Sequence, residues 1–128
     1  MSNLQRYTLE DFDGYIEIVI EVNTGIMTEE IAHEINGFFY NAETRLRQEK
    51  GDIYKAVVRL AAGFAVAMAI REGGWCFGAD SEGAAICSKQ LRAEEGFGGE
   101  ADDGNPFGFI GLRIVRADIN PEFDLEFK

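Results

Sequence analysis

Carboxylates are the most numerous side chains in this sequence that could do chemistry, since 23 Asp and Glu stand against 12 Lys and Arg and one His. Several of them lie in close pairs along the chain. Paired carboxylates catalyse proton transfer or bind hard metal ions only where the fold brings them together in a cleft. Close spacing alone therefore assigns no catalytic residue, and we predict none. The pairs are Asp11 with Asp13, Glu29 with Glu30, and Asp102 with Asp103.

Motifs for metal and phosphate binding are incomplete. His33 and Glu34 begin like the helix motif of zinc proteases, but Gly37 stands where that motif requires a second histidine. The acidic segment 100–105 lacks the alternating ligands and the final Glu of an EF-hand loop. The glycine-rich segments lack the lysine and the strand–turn–helix context of a phosphate-binding loop. We expect neither a metal site nor a cofactor.

The two cysteines and the apolar segments bear on location. Cys76 and Cys87 fit neither a CxxC redox pair nor a zinc ribbon, so we interpret them as reduced apolar side chains. The first residues lack the apolar core of a signal peptide. The longest apolar stretch, 56–70, contains Arg59 and is shorter than the ~20 residues of a membrane span. These features predict a cytoplasmic protein that does not contact membranes.

The charge of −11 is unevenly distributed. No Lys or Arg occurs between Arg6 and Arg45, where nine acids lie, or between Arg92 and Arg113. A protein that binds nucleic acid without sequence preference neutralises phosphates with cations, so this balance opposes direct DNA or RNA binding. Segregated acids produce a negative field that attracts a basic protein partner. The alternative is an acidic surface that is merely solvated.

If the segregation serves binding, the contact residues are carboxylates in turns, loops and the start of a helix. Hairpin turns and helix N-termini face solvent, so these side chains should be exposed. The carboxylates of the hairpin turn and those of the first helix lie on one surface only if the connection 23–27 folds the helix back towards the hairpin. The predicted partner-binding residues are Glu10, Asp11, Asp13, Glu29, Glu30, Glu34, Glu100, Asp102 and Asp103.

The elements that position these residues can be predicted from periodicity. A chain of 128 residues forms one domain, 1–128, and buries about two-thirds of its unfolded surface. Residues 15–22 alternate, with Ile16, Ile18, Ile20 and Val22 on a buried face and Tyr15, Glu17, Val19 and Glu21 on a wet one. Residues 6–9 form the partner strand, and the turn 11–14 ends in Gly14, which tolerates a positive φ.

Helices follow the hairpin. The first runs from the N-cap Thr28 to about Glu49, and the second from the N-cap Asp52 to about Glu72. The second helix is apolar on all sides in its middle, so we expect it inside the core, with Val57, Leu60, Phe64 and Met68 buried.

The second half of the chain is predicted to add a third helix, 82–94, with Asp80 or Ser81 as its cap and Ala84, Cys87 and Leu91 facing inward. It continues with an exposed loop, 97–105, and closes with strands at 109–116 and 122–127. The expected fold class is α+β, an antiparallel sheet (N-terminal hairpin plus C-terminal strands) packed on two to three helices in the order ββ-αα(α)-ββ.

Four segments resemble a small bacterial family of unknown function, some of whose members are carried on phages and plasmids. The resemblance covers the N-terminal half of the chain, whereas 75–108 departs from the pattern. It implies the hairpin-then-helices layout and an origin on a mobile element, and it supplies no catalytic residues. The segments are YTLEDFDG (7–14), MTEE (27–30), HEINGF (33–38) and AETRL (42–46).

Three functions are consistent with these features. The first is an acidic, non-enzymatic binding protein that blocks the basic nucleic-acid-binding surface of a host defence protein, of anti-CRISPR or anti-restriction type. The second is a small-ligand-binding protein or enzyme whose site lies in 75–108, where aromatic residues and glycines concentrate. The third is a structural subunit of an oligomer. A polar pocket ringed by converging carboxylates would favour the second, and a continuous negative face without a pocket the first.

Overall fold

A four-stranded antiparallel sheet with strand order β1-β2-β4-β3 forms the centre of the computed structural model, which describes residues 3–11, 14–100 and 103–121. The longest helix, α3, packs on one face of this sheet, and α1 and α2 pack against α3. The α+β antiparallel class is confirmed. The elements in chain order are β1 (Leu4–Glu10), β2 (Ile16–Asn23), α1 (Glu29–Phe38), α2 (Ala42–Gln48), α3 (Ile53–Arg71), β3 (Trp75–Phe77), α4 (Glu82–Arg92) and β4 (Leu112–Ile119).

The N-terminal hairpin forms as its alternation predicts. Strand pairing runs from Leu4 opposite Asn23 to Glu10 opposite Glu17. The Oδ1 atom of Asp11 accepts a hydrogen bond from the backbone N–H of Ile16 at 2.9 Å, which fixes the turn. The side chains predicted for the inner face of β2 are largely buried: Ile18, Ile20 and Val22 are at most 1% exposed.

The predicted wet face of β2 is wrong at two positions, since Val19 and Glu21 are about 95% buried. Glu21 lies between Arg6 of β1 and Arg113 of β4 in the sheet register. Each arginine donates two hydrogen bonds to this carboxylate, at 2.9 and 3.2 Å and at 2.8 and 3.0 Å respectively. A buried charge requires such pairing. Glu21, which the sequence pattern predicts to face solvent, therefore has a structural role in the sheet.

The predicted helix over 28–49 is broken into α1 and α2. The backbone carbonyl groups at the C-terminal end of α1 and just after it accept hydrogen bonds from the guanidinium of Arg45. This group donates to the backbone oxygens of Asn36, Phe39 and Tyr40. The backbone of Asn41 adopts a left-handed conformation (φ 66°), which asparagine tolerates better than most residues. A side chain thus replaces the helical hydrogen bonds that would have continued α1.

Helix α3 has the predicted N-cap, because Asp52 accepts a hydrogen bond from the backbone N–H of Lys55 at 3.2 Å. Most of its circumference is buried against the sheet and against α1 and α2, and one stripe faces solvent. Val57 and Met68 lie in the core as predicted, whereas Leu60 and Phe64 are only half-buried, which corrects the expectation of burial on all sides. Within the described segments, one helix, α3, is long and apolar enough to cross a membrane by length and composition, and half of that stretch is buried inside the protein.

The predicted third helix is confirmed as α4, and its N-cap Ser81 accepts from the backbone N–H of Ala84 at 3.1 Å. The short strand β3, which pairs with the end of β4, was not predicted, and β4 itself begins three residues later than predicted. Phe97 is completely buried, so the segment 97–105 is not an exposed loop throughout. The strand predicted at 122–127 lies outside the described residues.

Candidate interaction surface

Three of the predicted contact residues lie together on α1. Thr28 caps this helix by accepting a hydrogen bond from the backbone N–H of Ile31 at 3.2 Å. Glu29 and Glu30 occupy the first turn, where the helix dipole favours anions, and Glu34 follows one turn after Glu30. All three are exposed, because the opposite side of α1 is the one that packs on the core.

The carboxylates of Glu29, Glu30 and Glu34 form no ion pair with any cation that the structure describes. A further carboxylate, that of the α3 cap Asp52, lies at the same end of the molecule. Burial, followed by the charges of Glu29 and Asp52, raises the pKa of Tyr54. The start of α1 is therefore a site of negative charge that its described neighbours do not neutralise by pairing.

The hairpin turn forms a second acidic site. Glu10 is exposed, whereas Asp11 is half-buried and stabilises the turn; Asp13 lies outside the described residues. In the sheet register, Glu10 lies opposite Glu17, which in turn lies opposite Asp118. Facing carboxylates repel each other, and here an ion pair between Glu17 and Arg116 offsets part of that repulsion.

The structure does not join these two sites into one patch. The connection after β2 is tight, since the backbone N–H groups of Ile26 and Met27 both donate to the oxygen of Asn23, at 3.0 and 2.8 Å. Helix α1 therefore begins near the Leu4–Asn23 end of the hairpin. Glu10 lies at the other end, six residues or about 20 Å along the strand.

The remaining predicted residues contribute unequally. The two carboxylate oxygens of Glu100 accept from the Nε and Nη2 atoms of Arg92 at 2.6 and 2.9 Å. Because the side chain of Arg92 is 2% exposed, Glu100 neutralises an internal charge rather than presenting a free one. Asp103 is exposed and accepts from the backbone N–H of Asn105 at 3.0 Å. Asp102 lies outside the described residues.

A pocket of about 510 Å³ lies between α4, the start of β4 and the segment around Asn105, within the size range of small-molecule sites. Arg113, on one of its walls, lowers the pKa of Asp80 by hydrogen bonding and by its charge. The polar and charged residues lining it are Asp80, Ser81, Ser88, Lys89, Arg92, Glu100, Asn105 and Arg113.

The sequence predicts an alternative site in this region, at 75–108, but not the side chains that form it. Helical spacing could have found two of them. Ser88 and Arg92 follow Ala84 by four and eight residues, so they lie on the same side of α4 as Ala84, which is predicted to face inward. Arg113 could not be found in this way, because strand pairing and loop packing bring it to the pocket.

The described part of the chain contains no group of three His, Cys, Asp or Glu side chains placed to hold a metal ion. His33 is exposed on α1. Both cysteines are free thiols, with Cys76 exposed and Cys87 buried. Burial, with a smaller effect from the charge of Glu72, raises the pKa of Cys87 to about 11, which disfavours its reactive thiolate form.

Comparison with known proteins identifies phage relatives. A family described as "Protein of unknown function (DUF2528)" matches residues 17–126, and this range includes the segment 75–108 where the resemblance was expected to lapse. Protein ea10 of Escherichia phage lambda is 31% identical over 126 residues, covering 97% of this chain and 93% of the relative. The lambda prophage-derived protein ea10 of Escherichia coli O6:H1 matches to the same extent. No solved structure matches.

Proposed function

The chain belongs to the DUF2528 family of unknown function, which links it to phage proteins, and on that premise we propose that it is a non-enzymatic accessory protein. It binds a basic protein partner through the acidic face of α1, formed by Glu29, Glu30 and Glu34. The proposal includes a cytoplasmic location and excludes direct binding to nucleic acid or membranes.

One observation carries this proposal: three exposed carboxylates on a capped helix have no described ion-pair partner. The arginines of the sheet are engaged elsewhere, since Arg6 and Arg113 bind Glu21 and Arg116 binds Glu17. Unpaired charge on a rigid element steers an oppositely charged partner and fixes its orientation.

The proposed partner has a surface built for phosphates. Glu30 and Glu34 are four helical residues apart, a rise of about 6 Å. Both residues therefore present their negative charges on one stretch of the helix, where a surface that neutralises phosphates with cations can bind them together. A phage benefits from blocking such a groove in a host defence protein. We therefore place the partner among basic nucleic-acid-binding proteins of the anti-CRISPR or anti-restriction target type.

Affinity capture from the native host, followed by identification of the retained proteins, tests the proposal. The test variant reverses the charge of the α1 face with Glu29→Lys, Glu30→Lys and Glu34→Lys. The expected result is a basic protein that the natural chain retains, that high salt releases and that the variant does not retain.

A matched control separates the α1 face from overall charge. Glu43→Lys, Glu82→Lys and Glu95→Lys change the net charge by the same amount at exposed positions outside α1. This control should retain the partner. Loss of the partner in both variants would show that only net charge matters, and retention in both would move the interface away from α1.

A second candidate function is favoured by the pocket between α4 and β4. Its cation Lys89 is exposed and forms no ion pair within the described segments, so the pocket could bind a small anion. Inorganic phosphate, added at constant ionic strength, should then raise the melting temperature of the natural chain and not that of Lys89→Gln. An equal response of both proteins would dismiss this candidate.

A further inference from the structure

The outer side of α3 carries an apolar groove of about 410 Å³. In an acidic protein the borders of this groove are unusual, because the charged side chains beside it are arginines. The groove is shallow, and nearly all of the surface that lines it is apolar. The lining residues are Arg45, Arg59, Leu60, Gly63, Phe64 and Ala67.

Gly63 lies near the centre of α3 and is exposed. Glycine in a helix interior is destabilising relative to alanine. A Cβ atom at this position would meet nothing within 4 Å, so no contact inside the described chain requires glycine. A small residue here does allow the backbone of another molecule to approach α3 closely.

Exposed aromatic rings extend the apolar surface beyond the groove. The ring of Phe64 packs against that of Phe39, with centroids 5.2 Å apart, and Phe39 packs edge-on against Phe38 at 5.1 Å. Phe38 is 56% exposed and the neighbouring Tyr40 is 93% exposed. Large exposed aromatic side chains are the usual anchors of protein–protein contacts.

The charge of Arg45 is not neutralised by a carboxylate in the described segments. Its guanidinium donates to the Oδ1 atom and backbone oxygen of Asn36 and to the backbone oxygens of Phe39 and Tyr40, which are all neutral acceptors. These four bonds leave one of its five N–H groups available. Arg59 pairs with Glu49, yet 58% of its side chain stays exposed. The groove is therefore bordered by one guanidinium without a carboxylate partner, that of Arg45, and by a second that is paired but largely exposed, that of Arg59.

We propose that this groove binds an amphipathic helix of a partner protein, with leucine or phenylalanine side chains in the groove and carboxylates beside Arg45 and Arg59. Recognition of this type uses apolar anchors one helical turn apart. A second copy of this chain fits less well, because a symmetric contact would bring an identical arginine-bordered groove against the first. The proposal is independent of the acidic face of α1.

Two synthetic peptides of about 16 residues, long enough to form a helix on binding, test this proposal by fluorescence anisotropy. Both carry leucine and phenylalanine on one helical face; one has glutamates on the other face and its counterpart has lysines. The natural chain should bind the glutamate peptide about tenfold or more tightly than the lysine peptide, the effect expected of a charge-assisted contact.

Gly63→Leu fills the groove and should abolish binding, whereas Gly37→Leu should not. Gly37 is the matched control, because it is also an exposed helical glycine with nothing within 4 Å of a Cβ atom. Arg59→Gln should weaken binding of the glutamate peptide and leave that of the lysine peptide unchanged. Circular dichroism checks that each variant is folded.

Three results would overturn the proposal. The first is absence of binding of the glutamate peptide to the natural chain, and the second is equal affinity for both peptides. The third is a concentration-dependent dimer in sedimentation velocity that Gly63→Leu abolishes, because the groove would then hold a second copy.

Discussion

Replacement of Glu21 by alanine should destabilise the protein far more than the same change at Glu17. Both residues lie on the outer face of β2, and each pairs with an arginine of β4. They differ in burial, since the side chain of Glu21 is 5% exposed and that of Glu17 is 34% exposed. The comparison therefore contrasts a buried carboxylate held by two arginines with a more exposed carboxylate held by one arginine of the same sheet.

The magnitude follows from the partners that lose their carboxylate. Removing one member of a buried ion pair costs about 3–5 kcal/mol, because the remaining charge stays desolvated. Here the side chain of Arg6 is 53% exposed and Arg113 keeps its ion pair with Asp80. Solvent and that ion pair therefore stabilise the two guanidinium groups and reduce the cost of removing the Glu21 carboxylate. We expect about 2–4 kcal/mol for Glu21→Ala. An exposed pair contributes about 0–1 kcal/mol, which is the loss expected for Glu17→Ala.

Urea denaturation followed by tryptophan fluorescence measures both losses. Trp75 is the sole tryptophan and is 5% exposed, so its emission reports the loss of the core. If Glu21→Ala and Glu17→Ala lower the free energy of unfolding equally, and by less than about 1 kcal/mol, the assigned role of burial is refuted.

Four further predictions follow from single sites or from the net charge. Gly63→Ala should raise the free energy of unfolding by about 0.5–1 kcal/mol, because the added Cβ meets no atom within 4 Å. Gly108→Ala should lower the free energy of unfolding, because the φ of Gly108 is +67° and the added Cβ would lie 2.6 Å from a buried arginine side chain. Phe97→Ala should cost about 3–5 kcal/mol in urea denaturation, since the ring is completely buried. At pH 8 a disulfide reagent should label the exposed Cys76 rapidly and the buried Cys87 slowly, because a pKa of about 11 leaves roughly a thousandth of Cys87 as thiolate. Raising the pH towards 11 should speed the labelling of Cys87. Equal labelling rates of the two cysteines at pH 8 would contradict the burial of Cys87. Gel shifts near physiological salt should show no binding to single- or double-stranded DNA, since the charge is −11; binding that salt weakens would overturn the charge argument.

Local signals in the sequence predicted much of the fold. The three helix caps Thr28, Asp52 and Ser81 each accept the expected backbone hydrogen bond three residues on. Alternation predicted the inner face of β2, and helical spacing predicted the inward side of α4. These features depend on neighbours within a few residues, so they can be read from one stretch of sequence.

Features that depend on distant partners could not be predicted. Glu21 has the pattern of a surface residue, and its burial needs Arg113, which is 92 positions away in the sequence. The break after α1 depends on where the guanidinium of Arg45 reaches. The separation of the hairpin turn from α1 depends on strand register and on the tight connection at 23–27. Each is a tertiary effect that overrides a local pattern.

The association rate with the captured partner, measured against ionic strength, tests the proposed α1 interface most directly. The comparison is between the natural chain and Glu29→Gln, Glu30→Gln, Glu34→Gln, which keep the shape of the side chains and remove their charge. The proposal predicts that salt slows association of the natural chain steeply, and that the variant associates slowly with little dependence on salt. An equal dependence on salt for both proteins would contradict binding through the acidic face of α1.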